Sequence, residues 1–220
     1  LLAAFDVDAL RTSLGRMPRV LFLAHRSELL EQAAAAFRRV FSDARFGWFA
    51  ADRADTDGDV TFASVAKLSQ PARLDAFLSR AGNAPDYVIV DEVHHATATS
   101  YRRILDRLEP GFVLGLPATP DRLDEADVLG LLDDNLVYRA DLGVGIAHGR
   151  LSPFAYFGLA DVVAAAMIPW RNRRFDPSAL AEAVQTQTRM ERLWRAWNEQ
   201  TAVRSLVFRC SMANARFVRA

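Results

Sequence analysis

Two adjacent carboxylates, Asp91 and Glu92, followed by His94 and His95, are the side chains whose types and spacing most invite chemistry. They close the stretch Tyr87–His95, in which Tyr87-Val88-Ile89-Val90 reads as a strand buried on both faces. In an open α/β sheet, ligands gather at the carboxyl ends of the strands, so both acids are expected to face a bound group and not the core. Neighbouring carboxylates repel each other and resist desolvation. A hard cation such as Mg²⁺ relieves both costs, with one acid holding the metal while the other works on a water. Zinc fits the same residues less well, because neighbours on an extended segment point opposite ways and no His-Glu-x-x-His helical spacing occurs.

The flanking elements must deliver that strand end. Val20–Ala24 is a second apolar strand, followed by the turn His25-Arg26-Ser27. Ser27 is a good helix cap, Glu28 and Glu31 suit the helix dipole, and Leu29, Leu30, Ala33 and Phe37 mark a buried stripe. Val60–Ser64 is a third strand, running into Ser64-Val65-Ala66-Lys67-Leu68, where Ser64 could equally cap a helix. Residues 73–80 form a short helix, broken by Gly82-Asn83-Ala84-Pro85. Ser100–Leu108 is a helix turning Tyr101, Ile104, Leu105 and Leu108 to the sheet, and Phe112–Leu116 is another buried strand. Alternating strands and helices predict a parallel α/β sheet with right-handed crossovers.

Other stretches are less regular. Leu1–Leu14, with apolar residues at 1, 2, 5, 10 and 14, reads as an amphipathic helix stopped by Gly15. Arg45–Asp59 reads as a loop with a short edge strand. Asp121–Asp134 is acidic, as in a solvated helix and loop, and Gly143-Val144-Gly145 reads as a turn, having no third glycine for a dinucleotide loop. A boundary is expected near 145–152, followed by strand character over Leu151–Gly158, a basic aromatic-flanked segment Trp170–Phe175, a long helix over Ser178–Gln200 and a strand at Ser205–Phe208. Trp194 and Trp197, three apart on one face, are expected in a core.

Composition narrows the class. The 220 residues are 51% hydrophobic and 25% charged, an ordinary globular balance, and 27 Lys+Arg against 27 Asp+Glu advertise no global affinity for nucleic acid. Lys67 is the only lysine, so no Gly-Lys-Ser/Thr phosphate loop is present. Cys210 is the single cysteine, which excludes an internal disulfide and suits a reducing cytoplasm. No apolar run of eighteen or more residues predicts a membrane span, and no export signal is legible at the amino terminus.

Asp91-Glu92-Val93-His94 resembles the Walker B box of superfamily 2 helicases and translocases, the DEAD/DEAH group. Gly115-Leu116-Pro117-Ala118-Thr119-Pro120-Asp121-Arg122 resembles the Gly-Leu-Thr-Ala-Thr-Pro-Glu-Arg stretch of the branch shared by type III restriction subunits and nucleotide-excision-repair helicases. Arg19–Gln32, Val60–Leu68 and Ser205–Ala215 resemble further motifs in the expected order, so the resemblance runs over nearly the whole chain. Pro117 departs from it, standing where relatives carry Ser or Thr and removing both a hydroxyl and a backbone donor.

The resemblance implies an α/β fold of P-loop NTPase type: a first RecA-like domain over 1–147 without its phosphate loop, and the start of a second over 148–220. It implies ATP and Mg²⁺ as cofactors, Asp91 holding the metal through its water shell, Glu92 polarising the attacking water, and His94 and Thr119 linking hydrolysis to strand movement. It implies nucleic acid as partner, DNA before RNA, gripped by Arg26, Ser64 and Lys67, with a restriction, repair or nuclease domain elsewhere in the protein. Without the phosphate loop and the later arginine finger, this chain alone is expected to hydrolyse ATP negligibly, and residues after about 150 are expected to be poorly stable. A non-catalytic nucleic-acid-binding or interaction module derived from such a helicase is the alternative.

Overall fold

A computed structural model describes the chain except for residues 83, 92–97, 117–129, 131, 159–164, 172–173, 201–203, 209–213 and 217–220. Two compact units, Leu1–Ala147 and His148–Ala220, divide it.

The first unit is built on a six-stranded sheet of β1 (Val20–Ala24), β2 (Phe46–Ala50), β3 (Arg53–Asp55), β4 (Val60–Ser64), β5 (Tyr87–Asp91) and β6 (Phe112–Leu116), in the order β3-β2-β4-β1-β5-β6. Every pairing is parallel except β2 with the edge strand β3. The run Val20-Leu21-Phe22-Leu23-Ala24 is buried at every position because helices cover both faces of the sheet. Alternate residues therefore serve two separate cores.

On one face, Val20, Phe22, Ala24, Trp48, Phe62 and Ile89 meet helices α1 (Leu2–Leu14) and α2 (Ser27–Val40) through Ala4, Val7, Leu30, Ala34 and Phe37. Phe62 is the hub of an aromatic cluster there, 5.3 Å from Trp48 and 5.9 Å from Phe37 by ring centroids. On the other face, Leu21, Leu23, Phe49, Val88 and Val90 meet α3 (Val65–Leu68), α4 (Pro71–Ala81) and α5 (Ala98–Leu108) through Leu68, Leu74, Phe77, Tyr101 and Ile104. The parallel sandwich of helix, sheet and helix follows the alternation read from the sequence.

Three details of the unit correct that reading. Within Arg45–Asp59 the expected short edge strand is β3, but residues 46–50 form a further, interior strand, buried on both faces so that no alternation betrays it. Gly47 hides the strand further, yet it suits the close packing there, because a Cβ would lie 3.0 Å from both Asp55 O and Thr61 Oγ1 and its neighbours would have to give by a few tenths of an ångström. In α1 the buried residues are Ala3, Ala4 and Val7, whereas Leu1, Leu2, Phe5 and Leu14 are exposed. Small side chains let this helix approach the sheet closely. Gly143 and Gly145 lie in a short helix, α6 (Leu142–Ala147), whose first turn the Asp141 carboxylate caps by accepting from Val144 N–H at 2.8 Å.

The second unit carries a 3₁₀ turn at Ala165–Met167, an antiparallel pair of β7 (Trp170–Arg171) with β8 (Arg174–Phe175), and helices α7 (Pro177–Val184) and α8 (Gln187–Asn198). The predicted long helix breaks at Gln185 and Thr186, where the backbone leaves helical geometry. Residues 151–158 and 205–208 pair with no strand among the described residues, contrary to expectation. Extended backbone is a strand only beside a neighbour that takes its N–H and C=O groups. Trp194 and Trp197 are 61% and 44% exposed and pack on each other, not in a core, with Trp197 Nε1–H donating to Ser205 Oγ at 2.7 Å.

Candidate ATP and nucleic-acid rim

The predicted residues that are described gather on one edge of the first unit, the carboxyl ends of its parallel strands. Asp91 is the last residue of β5 and half-buried, paired in register with Leu116 of β6. One strand over, Leu23 pairs with Val90, which brings Ala24 level with Asp91, and Ala24 pairs in turn with Ser64 at the end of β4. Asp91, the His25-Arg26 turn and Ser64 thus leave the sheet from successive strands at one level. Glu92, His94, His95, Pro117 and Thr119 lie outside the described residues.

Each segment has a local reason for its place. Between β1 and α2 the chain has only His25 and Arg26 in which to turn, so the helix must begin at Ser27. Arg26, not Ser27, is therefore its N-cap, extended at φ −111° and ψ 140°, with its side chain exposed. Ser64 is the extended residue before α3, half-buried, and its hydroxyl makes no cap bond to that helix.

Lys67, on α3, uses two of its three N–H donors within the protein. Its Nζ donates to Ala51 O at 2.8 Å and to Arg53 O at 2.9 Å, fastening the turn between β2 and β3, and sits 4.5 Å from the centre of the Phe49 ring. Ala51 holds positive φ, 46°, so that turn is strained and the ammonium helps hold it. Burial, and then the positive charge of Arg73, lower the pKa of Lys67. One donor remains for an outside oxygen. Beside it, the Arg53 guanidinium lies 3.8 Å above the Trp48 ring and pairs with Glu31 at 3.1 Å.

Sequence reading singled out neither His25 nor the hydroxyl of Tyr101. Tyr101 is fully buried on α5, yet its Oη lies 3.3 Å from His25 Nε2, with the rings edge to face at 6.0 Å. The only hint was a tyrosine in an otherwise aliphatic stripe.

At the opposite ends of the strands lies a cleft of about 200 Å³, lined by Arg19, Gly58, Thr61 and Arg107 among others and by none of the predicted site residues. No group of three or more potential metal ligands occurs among the described residues. No described helix is long and apolar enough to cross a membrane.

Comparison with known proteins bears on the family and the fold. The chain is 35% identical over 128 residues to the Saccharomyces cerevisiae protein named "Putative ATP-dependent helicase IRC3", an alignment covering 54% of this chain and 17% of that protein. Its fold is similar to that of the type ISP restriction-modification enzyme LlaGI, solved as a nuclease-deletion mutant with a DNA substrate mimic. That superposition has a TM-score of 0.53 at 12% identity over 90% of this chain and 20% of the other, and shows a helicase RecA-like fold. The chain thus spans about a sixth of the curated relative's length. Residues 1–122 match the model of the type III restriction enzyme res subunit. With more than half its length matched, strand ends included, the chain belongs to that family of helicase subunits.

Proposed function

We propose that this chain is part of an ATP-dependent translocase or helicase acting on DNA, with nucleotide chemistry and nucleic-acid contact both set along the carboxyl rim of the first unit. The observation that carries the reading is the register that brings Asp91, the Arg26 turn and Ser64 to one level of one parallel sheet. A half-buried carboxylate at a strand's carboxyl end is a hard oxygen donor of the kind Mg²⁺ takes, so Asp91 fits the metal. Bound Mg²⁺ would neutralise charge on the transferring phosphoryl group of ATP, with Asp91 holding its water shell; Glu92 would polarise the attacking water, and His94 and Thr119 would relay the change toward the nucleic acid. Residues 1–147 act as a first RecA-like domain and 148–220 as the beginning of a second.

On the nucleic-acid side, Arg26 offers an exposed guanidinium to a phosphate, Ser64 a hydroxyl, and Lys67 its remaining donor. None reads a base, so binding is indifferent to sequence and sensitive to salt. A cytoplasmic location and a restriction, repair or nuclease domain elsewhere in the longer protein complete the reading.

Fluorescence anisotropy with two labelled single-stranded DNAs of unrelated sequence tests it. We expect matched affinities that fall with added salt, and a several-fold loss at both sequences in Arg26→Ala, with a shallower salt slope. Phosphate release by this chain alone should stay at background, because it contains no Gly-Lys-Ser/Thr loop. Absence of salt-sensitive binding, or an Arg26→Ala variant that binds normally, would sink the assignment of the track.

A further inference from the structure

We infer that Arg73 is a further phosphate contact, which carries the nucleic-acid track from α3 onto the first turn of α4; the inference rests on the reading above. Helix α4 begins on the carboxyl side of the sheet, because it follows β4 and must lead back to the amino end of the parallel strand β5. Its link to α3 is short and tied. Only Ser69 and Gln70 separate Leu68 from Pro71, where α4 opens. Ser69 Oγ donates to Val65 O at 2.7 Å, Gln70 N–H to Lys67 O at 3.3 Å, and Arg73 N–H to Gln70 O at 3.0 Å. Leu68 before the link and Leu74 after it are sealed in the core. Anchored on both sides, Arg73 is held near Lys67 with its own side chain exposed.

The neighbouring cations already have work within the fold. Lys67 donates to Ala51 O and Arg53 O, and Arg80, seven residues beyond Arg73 on the same face of α4, donates to Ala54 O at 3.0 Å. Arg53 pairs with Glu31, and Asp75, the one acid of α4, pairs with Arg107 at 2.8 Å. Arg73 pairs with no carboxylate or carbonyl among the described residues. Its charge nonetheless reaches Lys67: burial first, then Arg73, lower the pKa of that ammonium, with Asp52 acting the other way and Arg80 adding a smaller share. A guanidinium kept beside an ammonium, with no acid taking it up, is repelled in the folded chain. A phosphate relieves that repulsion, and the planar fork of an arginine meets two of its oxygens at once.

The experiment uses the 220-residue chain and a fluorescein-labelled oligothymidylate single strand, with anisotropy read across a salt series. Arg73→Gln should bind several-fold more weakly, with a log–log salt slope shallower by about 0.7, the share of one phosphate on a single strand. Arg39→Gln removes the same charge at the far end of α2 and should bind as the native chain does. The urea midpoint of Arg73→Gln should equal or exceed the native one, because a like charge beside Lys67 is gone; a lowered midpoint marks a structural arginine and overturns the inference. Unchanged binding by Arg73→Gln also overturns it, as does an equal loss in Arg39→Gln, which would report net charge and not a contact. In each of these cases a weakened Arg26→Ala leaves the nucleic-acid reading standing. A native chain without salt-sensitive binding brings down that reading, and this inference with it.

Discussion

Asp86 accepts three hydrogen bonds at the amino end of β5: two from the Arg16 guanidinium, at 2.8 and 2.9 Å, and one from the backbone N–H of Arg19 at 2.7 Å. It thereby fixes the approach of the chain to β1 and β5 at once. The hydrogen bonds from Arg16, ahead of partial burial that acts the other way, hold its carboxyl below the ordinary aspartate range. A depressed folded-state pKa contributes stability that is present above the unfolded value and is lost as pH falls through the folded one. Asp86→Ala should therefore destabilise by about 1–2 kcal/mol at neutral pH, since the Arg19 amide loses its acceptor. Its urea midpoint should converge on that of the native protein as the buffer is taken below the aspartate range. A constant gap between the two at all pH values would contradict this. At the amino end of β5, the Tyr87 hydroxyl donates to Asp6 on α1, and burial first, then that carboxylate, raises its pKa.

At the scale of elements, the least legible strand is also the most exacting. β2 lies between β4 and the edge strand β3, and the chain returning from β3 crosses it at Gly58. A Cβ on Gly58 would stand 2.4 Å from Gly47 N, a backbone atom that cannot move without lifting β2 off β4. Gly58→Ala should cost about 2 kcal/mol or more by denaturant unfolding, in the range of overpacked cores. Gly82→Ala is a useful contrast, because that glycine has open space around it and its penalty comes from positive φ alone, 75°. A Gly58→Ala protein as stable as the native one would show that the turn into β4 is looser than the geometry implies.

The whole molecule divides unequally. In the first unit, apolar side chains on both faces of the sheet reach near-zero exposure, whereas Phe154, Tyr156, Phe157 and Leu206 to Phe208 in the second are 61–88% exposed. Burial of this kind is the main stabilising term, so the two should open independently. Amide hydrogen exchange is expected to show the slowest protons in β1, β4 and β5 and much weaker protection throughout 148–220. Equal protection in both units would refute that division.

By itself, the sequence determined the elements whose patterns are local: the buried runs of β1, β4 and β5, the stripe of α2, and the placing of Asp91 at a strand's end; Phe112–Leu116 is a strand as expected but not a buried one, because β6 is the edge of the sheet, with Phe112 exposed and the rest half-buried. From the motif order it also pointed to the family that the comparisons show. Tertiary structure alone decided the rest. A strand buried on both faces around a glycine has no period to read, which hid β2, and the face a helix buries depends on how closely it can approach, which turned α1 onto its alanines. Whether extended segments pair, as 151–158 and 205–208 do not among the described residues, depends on neighbours far along the chain. The contact between Tyr101 and His25 joins residues 76 apart, a distance over which no sequence periodicity carries information.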